Sequence, residues 1–474
     1  MRVAILSSEA VPFAKTGGLA DVAGALPKAL RGIEVDVLLV LPLHQQVNPE
    51  LLSGRVFDNL EVEWRGSLRH TRVWYSEASS APTYLIEAHE YFARPTVYGF
   101  ADDHERFAFF CRAALTLLKR LGAPPDVVHC NDWPGGFAAV ELRSRRSYDP
   151  YYAQTRTLFS VHNIAYQGAF DPGQLWIIGF GSQDEINTFM FEGLASALKA
   201  GLMASDALST VSQRYALEIQ TPEQGYGLDW LLRARNARLV GITNGVDYDV
   251  WNPATDPHIV AHYSADDLAG KRDCKLDLLR RFGLPEDEKR PVIASISRLV
   301  AQKGYDLIKE AAGSILQSGA VFIALGSGDK EYEDFLQAMR DHAPRQVGIY
   351  LGFNEPLAHQ IEAGADLFLM PSLYEPCGLN QMYSVRYGTV PLVRATGGLD
   401  DTVQNFDPAT GAGNGFKFGP YSAAAMLEKI HEALYFYTEP ETWRIIQLNG
   451  MRTDHSWSAA AQKYLNLYRA MAQM

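Results

Sequence analysis

Residues 16–21 read TGGLAD and residues 396–401 read TGGLDD, so one pattern, TGGLxD, stands near each end of the chain. Each copy follows a strand-like apolar run, VAIL at 3–6 and VPLV at 390–393. Paired glycines let a backbone come close to a ligand. A helix that begins there offers unpaired N–H groups and the positive end of its dipole. The repeat therefore predicts two anion- or sugar-binding loops, one in each half of the chain, around a ligand held in a cleft between domains. Two unrelated glycine turns are the alternative, because the motif is short.

Apolar strand-like runs alternate with helical patterns along the chain, which is typical of α/β domains with parallel sheets. We expect parallel strands at 3–6, 35–40, 126–129, 157–161, 207–210, 239–242, 292–297, 321–325, 348–351, 367–369 and 390–393. Residues 55–90 alternate polar and apolar, which predicts an antiparallel excursion or hairpin. The periodicity near the end predicts helices over 423–437, 440–448 and 459–471.

Turn signals between residues 243 and 253 mark a domain junction, where the chain could also bend as a hinge. We therefore expect an N-terminal Rossmann-like domain over 1–244 and a C-terminal Rossmann-like domain over 245–450. The segment 451–474 is expected to pack back on the N-terminal domain as a helix. Ligands of such sheets bind beyond the carboxyl ends of the strands.

The composition excludes several classes of protein. A net charge of −12 over 474 residues argues against nucleic acid as the main partner, and means that an anionic substrate needs a local basic site. The four cysteines form no C-x-x-C pair and fit a reducing cytosol. We expect no leader peptide, because Met1 and Arg2 run directly into the first strand, and no apolar run approaches the ~20 residues of a membrane span. These features predict a cytoplasmic protein with no membrane partner.

Two loops place cations where ligands of parallel sheets bind. Lys15 stands beside the first TGG, where it could hold a phosphate together with helix-terminal amides, unless it is only a solvated loop lysine. Arg298 and Lys303 follow the predicted strand at 292–297 and could neutralise a departing diphosphate. An ordinary surface pair of cations is the alternative for these two.

Three further loops carry polar groups. Glu375 precedes Gly378, and a carboxylate there could accept hydrogen bonds from sugar hydroxyls while the following helix directs N–H groups at the ligand. His162 stands at a strand end, where histidines are often only structural. In the loop 129–133, Asn131 or Asp132 is expected to cap the next helix.

Other signals fail. Gly326-Ser327-Gly328 lacks the third glycine of a dinucleotide fingerprint, and no phosphate-binding GxxxxGK[ST] loop, HExxH motif or acidic metal cluster is present. Cys377 as a nucleophile is disfavoured, because no histidine lies close to it in sequence.

Together these segments resemble the bacterial glycogen synthase and plant starch synthase family of glycosyltransferases. The similar segments run in family order over nearly the whole chain: Glu9, KTGGLADV at 15–22, HNIAYQG at 162–168, TNGVD at 243–247, SRLVAQKG at 297–304, EPCGLNQ at 375–381, TGGL at 396–399, and SW at 456–457 with Tyr464 and Tyr468.

The resemblance implies a GT-B fold, in which two doubly wound Rossmann-like domains face an interdomain cleft. It implies transfer of glucose from ADP-glucose to the non-reducing end of an α-1,4-glucan such as glycogen, with retention of configuration. It implies neither a metal nor another cofactor, since ADP-glucose is a substrate.

The resemblance also implies roles for residues. Lys15 would contact the donor diphosphate, Arg298 and Lys303 would stabilise the leaving ADP, Glu375 would bind donor hydroxyls, and His162 would lie over the anomeric carbon. The substrate-binding residues would be Glu9, Gly17, Gly18, Asp21, Asn163, Asn244, Cys377, Gly378, Leu379, Thr396, Gly397 and Gly398.

Two positions depart from patterns of related enzymes. Leu373 stands where many relatives have arginine, which puts a donor contact there in doubt. Related retaining transferases carry a second glutamate at the position of Tyr383, whereas the synthases themselves have tyrosine there, as this chain does. Because no carboxylate nucleophile stands out at the strand ends, we favour a front-face reaction through an oxocarbenium-like state over a covalent intermediate.

Three alternatives stay open. The closest is use of UDP-glucose, because no single residue decides the base. A sugar-nucleotide epimerase could share the two domains. A non-catalytic glucan-binding protein should lack the cations Lys15, Arg298 and Lys303.

Overall fold

A computed structural model describes residues 1–474. Its strands are β1 Arg2–Leu6, β2 Asp36–Pro42, β3 Gly54–Trp64, β4 Ser67–Ser76, β5 Thr83–Glu87, β6 Val127–Asn131, β7 Arg156–Val161, β8 Ala169–Phe170, β9 Met190–Phe191, β10 Leu194–Ser196, β11 Ala207–Thr210, β12 Leu239–Gly241, β13 Val292–Ile296, β14 Val321–Gly326, β15 Val347–Leu351, β16 Leu367–Met370, β17 Val390–Arg394 and β18 Phe416–Phe418.

Its helices are α1 Gly18–Gly32, α2 His89–Phe92, α3 Asp103–Arg120, α4 Asp132–Arg145, α5 Gln174–Ile177, α6 Gln183–Phe189, α7 Ala197–Ala204, α8 Gln213–Glu218, α9 Asp229–Ala234, α10 Ala269–Arg281, α11 Tyr305–Gln317, α12 Lys330–His342, α13 Glu355–Gly364, α14 Asn380–Arg386, α15 Gly397–Thr402, α16 Ala423–Tyr437, α17 Pro440–Met451 and α18 Trp457–Ala472. No helix is both long and apolar enough to cross a membrane.

The chain divides into two compact units, residues 1–245 with 457–474, and residues 246–456. The first unit is built on a nine-stranded sheet in the order β12-β11-β7-β6-β1-β2-β5-β4-β3. Its strands from β12 to β5 run parallel, whereas β4 pairs antiparallel with both β5 and β3. The antiparallel hairpin predicted within residues 55–90 is therefore confirmed.

The second unit is built on a parallel six-stranded sheet in the order β15-β14-β13-β16-β17-β18. Every residue of β14 is buried, as expected of a parallel strand covered by helices on both faces. The eleven parallel strands predicted from sequence are all present, with bounds within two residues. The short strands β8, β9, β10 and β18 were not predicted, because two or three residues carry no periodicity.

The helix α18 belongs to the first unit, where Trp457, Tyr464 and Tyr468 lie in the core that also contains residues of α1, β1 and β2. The Tyr468 hydroxyl lies 2.8 Å from Nδ1 of the buried His129. The sequence predicts that the whole segment 451–474 packs on the N-terminal domain. Residues 451–456 instead group with the second unit, where the Val246 N–H donates to the His455 carbonyl.

Candidate active site

The loop that follows β1 is tied to a buried carboxyl group. Glu9 is 4% exposed and accepts a hydrogen bond from the Thr16 backbone N–H. The Tyr98 hydroxyl donates to the other carboxyl oxygen at 3.4 Å. Burial raises the pKa of Glu9 to about 7, although hydrogen bonds from Thr16, Gly17 and Tyr98 oppose the shift. Glu9 therefore anchors the backbone of the first TGG loop and titrates near neutral pH.

Lys15 and Asp21 form an exposed ion pair in this loop, with Nζ and Oδ1 2.7 Å apart. Exposed pairs contribute little to stability, roughly 0–1 kcal/mol, so a ligand phosphate could replace Asp21 as the partner of Lys15 at small cost. Gly17 and Gly18 are exposed, and a Cβ built on either would have no neighbouring atom within 4 Å. The first loop leaves room for a ligand.

His162 lies at the carboxyl end of β7 and is held in one tautomer by Asn131. The Asn131 amide nitrogen donates to the Leu6 carbonyl at 3.1 Å, so its oxygen faces the His162 ring and lies 2.9 Å from Nε2. Because a carbonyl oxygen only accepts, Nε2 carries the proton and Nδ1 is the acceptor. Burial lowers the pKa of His162 to about 4, so the ring is neutral at physiological pH.

Asp132 fixes the backbone on which His162 stands. Its carboxylate accepts hydrogen bonds from the N–H groups of His162 at 2.7 Å and Asn163 at 3.4 Å. Burial raises the pKa of Asp132 to about 7, against those same hydrogen bonds. Asn131 occupies the N-cap position of α4, as expected, but the helix start has no side-chain cap, because the side chains of Asn131 and Asp132 bind neighbouring loops instead.

Two asparagines complete this edge of the first unit. The Asn163 side-chain oxygen accepts from the Ala165 N–H at 3.1 Å and so shapes its own loop. Asn244, which follows β12, is 7% exposed, and its side-chain oxygen is buried with no hydrogen-bond partner. A buried acceptor without a donor is costly in a folded protein, and a ligand hydroxyl or N–H group would satisfy it.

In the second unit the loops after β13 and β16 adjoin, because these strands are neighbours in the sheet. Arg298 is exposed and donates from Nη2 to the Gln302 side-chain oxygen at 3.2 Å, and Gln302 donates to the Tyr374 carbonyl at 2.7 Å. Lys303 Nζ lies 2.5 Å from Glu375 Oε2. Two cations and one carboxylate that the sequence had singled out therefore form one connected group.

Glu375 is 6% exposed, and the Ser372 hydroxyl donates to its Oε2 at 3.1 Å. The next residues turn sharply, since Gly378 has φ +69°, a conformation that favours glycine. The side-chain nitrogen of Gln381 holds the turn by donating to the carbonyls of Cys377 at 3.1 Å and Gly378 at 3.0 Å. Leu379 then leads into α14, whose start has no side-chain cap, so no side chain of this loop satisfies its first amides.

The second TGG loop differs from the first, because its glycines pack against residues 375–377. Residues 396–399 are buried, and the Gly398 N–H donates to the carbonyls of Glu375 at 3.2 Å and Pro376 at 3.1 Å. A Cβ on Gly397 would stand 1.9 Å from the Glu375 oxygen, and one on Gly398 would stand 2.0 Å from the Cys377 oxygen. The sequence predicts an anion- or sugar-binding loop at this position, but the Gly398 amide is already bonded within the chain. The loop instead supports Glu375.

Sequence reasoning missed an exposed ring at this edge. Phe353, which follows β15, is 80% exposed, and the preceding Gly352 N–H donates to the Gly326 carbonyl at the end of β14 at 2.8 Å. A bare aromatic face at a strand end is the feature that a nucleobase or sugar would use. An isolated phenylalanine in a loop gives no sequence signal.

The two departures noted in the sequence have structural roles. Arg394 Nη1 donates to the carbonyl of the exposed Leu373 at 2.5 Å, so a guanidinium lies beside the position where relatives carry arginine. Tyr383 stacks on Trp251 at 3.9 Å between ring centroids, and Trp251 stacks on His359 at 3.8 Å. Tyr383 is thus part of an aromatic stack. All four cysteines are buried and form no disulfide, and no three potential ligand side chains group as a metal site would require.

Two units built on parallel sheets, with basic loops at the carboxyl ends of the strands, are the architecture of GT-B glycosyltransferases, and the comparisons with known proteins assign the chain to that class. Residues 279–444 match the family model described as glycosyl transferases group 1, and residues 2–234 match the starch synthase catalytic domain. Sucrose-phosphate synthase of Thermosynechococcus elongatus shares the fold, with a TM-score of 0.62 at 17% identity over 99% of this chain and 98% of that one.

Proteins similar over the full length narrow the assignment. Glycogen synthase of Koribacter versatilis is 43% identical over 100% of this chain and 99% of its own, and that of Geobacillus stearothermophilus is 44% identical over 99% and 98%. The solved catalytic domain of starch synthase IV from Arabidopsis thaliana, bound to ADP and acarbose, has a TM-score of 0.90 at 32% identity, covering 100% of this chain and 99% of that one. The chain belongs to the starch synthase and glycogen synthase family of glycosyltransferases.

Proposed function

We propose that the protein transfers glucose from ADP-glucose to the non-reducing end of an α-1,4-glucan, with retention of configuration and release of ADP. The observation that carries this proposal is the connected group of Arg298, Lys303 and Glu375 at the adjoining ends of β13 and β16. It offers two cations to a diphosphate and one carboxylate to sugar hydroxyls.

The cations would act mainly on the leaving group. In the free enzyme Lys303 neutralises Glu375 at 2.5 Å, and in the donor complex it would be shared with a phosphate oxygen. Negative charge on the diphosphate grows as the bond from the anomeric carbon to oxygen breaks. Arg298 and Lys303 would therefore bind the transition state more tightly than the ground state, which is the requirement for raising kcat. Lys15 would add a third cation on the acceptor side of the donor.

Phe353 would bind the base of the donor. Its ring is 80% exposed at the end of β15, so an adenine could stack on it without displacing other side chains. The bound ADP of the Arabidopsis starch synthase IV structure is consistent with an adenine donor. A uracil could stack there too, so the choice of base belongs to the experiment below.

His162 would stand over the anomeric carbon as a neutral ring. An oxocarbenium-like carbon carries positive charge, and an imidazolium beside it would repel that charge. Burial lowers the pKa of His162 to about 4, so this repulsion is absent at physiological pH. With its pKa lowered to about 4, His162 is a weak base, so the leaving phosphate oxygen would take the proton of the acceptor hydroxyl. Asn244 would hold a glucose hydroxyl through its buried oxygen.

We infer that this reaction takes place in the cytoplasm, and that the partners are ADP-glucose and a glucan such as glycogen. Four buried cysteines that form no disulfide suit a reducing compartment.

Incubation with ADP-[14C]glucose or UDP-[14C]glucose, with and without glycogen, tests the proposal. Label should enter polymer only with glycogen present, faster from ADP-glucose, and an enzyme that cleaves only α-1,4 bonds should release it. Faster incorporation from UDP-glucose would transfer the proposal to that donor. Conversion of the free nucleotide sugar without glycogen would identify an epimerase and refute it.

A further inference from the structure

Two exposed tyrosines of the first unit are tied together near His162. Tyr166 is 57% exposed and Tyr226 is 45% exposed. Between them the Gln167 side chain donates from Nε2 to the Tyr226 carbonyl at 2.8 Å. The residue after one ring therefore binds the backbone of the other, although sixty positions separate the rings in sequence.

The backbone of Tyr226 adopts a conformation that large side chains avoid. Its φ is +49°, in the left-handed region where a Cβ is disfavoured. The following Gly227 has φ +78° and fits closely against Phe191 and Glu192, since a Cβ there would lie 2.9 Å from the Phe191 ring and 3.2 Å from a Glu192 oxygen. Such strain persists where the surroundings enforce it, and it concentrates at ligand sites. A glycine or asparagine would fit Tyr226 more easily, so the ring itself is the feature to explain.

The two tyrosines adjoin the loop that carries His162 and Asn163, which we place at the reacting sugar. Tyr166 belongs to the loop of His162 and Asn163, and its N–H donates to the Asn163 carbonyl at 3.2 Å. This loop is fixed at its base, because the Ile164 N–H donates to the hydroxyl of the buried Tyr215 at 3.1 Å. A ligand that touches His162 and extends along this loop would reach Tyr166, and the hydrogen bond from Gln167 places Tyr226 beside the same loop.

The chemistry of this surface suits a neutral sugar chain. The side chain of Gln167, which links the two segments, is uncharged. The carboxylate of Glu192 lies beside Gly227, 3.2 Å from a Cβ built there. That carboxylate would repel an anionic ligand. A glucan presents apolar C–H faces that rest on aromatic rings and hydroxyl edges that bind amide side chains.

We propose that Tyr166 and Tyr226 bind successive glucosyl residues of the acceptor α-1,4-glucan, beyond the sugar that receives the new glucose. This inference rests on the proposed function, since it names the length of acceptor that the same site binds. Longer acceptors should then bind more tightly than short ones because they reach both rings.

Isothermal titration of maltoheptaose and maltose without donor tests this inference. Tyr166→Ala and Tyr226→Asn remove one ring each, and asparagine also tolerates the positive φ of position 226. Each should weaken maltoheptaose roughly three- to tenfold, the loss expected for an aromatic contact, and change maltose less. Tyr226→Phe should retain wild-type affinity, since stacking needs the ring and not the hydroxyl.

Tyr148→Ala is the matched control. Tyr148 is 70% exposed but precedes β7, so it lies toward the amino ends of the strands, and its variant should bind like the wild type. Unchanged affinity in both ring variants, equal weakening in the control, or no glucan binding by the wild type would each overturn the inference. Wild-type binding that depends on both rings, without transfer from either nucleotide sugar, would leave this subsite standing and remove only the proposed reaction.

Discussion

Replacing Lys303 by alanine separates two effects of one ammonium group. The Lys303 side chain is 18% exposed and the Glu375 side chain is 8% exposed. Lys303 Nζ lies 2.5 Å from Glu375 Oε2. If Lys303 stabilises the departing diphosphate, its loss should lower kcat about 10²–10³-fold, the range seen when one preorganised group that binds developing charge is removed. The KM for glucan should stay within about threefold, because the ammonium does not bind the acceptor.

The same substitution should also lower stability. It leaves the Glu375 carboxylate with only the Ser372 hydroxyl at 3.1 Å, and an under-satisfied buried polar group costs about 1–3 kcal/mol. For a unit of this size each kcal/mol lowers Tm by about 2–4 °C. Adding Glu375→Gln to Lys303→Ala should restore most of the Tm, because the stranded charge is gone. It should not restore kcat, because the cation is still missing.

Steady-state kinetics with ADP-glucose and glycogen, and calorimetric Tm values, measure both effects. The matched control is Lys309→Ala, which removes an exposed lysine of the same unit that pairs with Glu331 at 2.7 Å and should change neither quantity appreciably. Near-wild-type kcat in Lys303→Ala would refute the leaving-group role. Recovery of kcat in the double variant would show that Lys303 serves only to neutralise Glu375.

Three further substitutions have defined outcomes. Gly398→Ala should destabilise the fold by about 1–3 kcal/mol or more, lower the Tm and reduce activity, because its Cβ would stand 2.0 Å from the Cys377 carbonyl oxygen. Gly17→Ala should leave the Tm nearly unchanged, because a Cβ there would have no neighbour within 4 Å. Asp132→Asn should have a higher Tm than the wild type, and the difference should grow from pH 5 to pH 8. Burial raises the folded-state pKa of Asp132 from 3.8 to about 7, so the stability that its protonated form contributes is lost as pH rises through that value. Asparagine still accepts hydrogen bonds and does not ionise. Phe353→Ala should raise the KM for ADP-glucose roughly three- to tenfold with little change in kcat, as the loss of a stacking ring predicts.

Each of these outcomes can be contradicted in the same assay. Equal Tm values for the two glycine variants would mean that the second loop yields without cost. Parallel pH–Tm curves for wild type and Asp132→Asn would place the pKa of Asp132 outside that range. An unchanged donor KM in Phe353→Ala, with Phe353→Tyr as the conservative control, would remove the ring from the base site.

The sequence predicted what depends on local periodicity and on strand ends. Strands such as Val321–Gly326 and helices such as Ala423–Tyr437 follow from apolar patterns, and Arg298 and Glu375 lie in loops that follow strands, as predicted. That these loops adjoin was not predicted, because it depends on the pairing of β13 with β16. The sequence also did not predict that Asn131 fixes the tautomer of His162, because the partners are far apart in sequence and an asparagine at a strand end also suits a helix cap. Such pairings are set by tertiary packing, for which a single sequence carries no local signal.

The two TGGLxD copies show how one pattern serves two purposes. In the first copy a buried carboxyl group, Glu9, binds the backbone from inside, so the glycines and Lys15 face outward and can meet a ligand. In the second copy the backbone is itself the support, because Gly398 donates to carbonyls of the loop that carries Glu375. The glycines of the first copy are thus expected to matter for ligand binding and those of the second for folding. The second copy has Ala395 where the first has Lys15, and the cations proposed to bind the diphosphate in this unit are Arg298 and Lys303 on the neighbouring loop, where Lys303 pairs with Glu375.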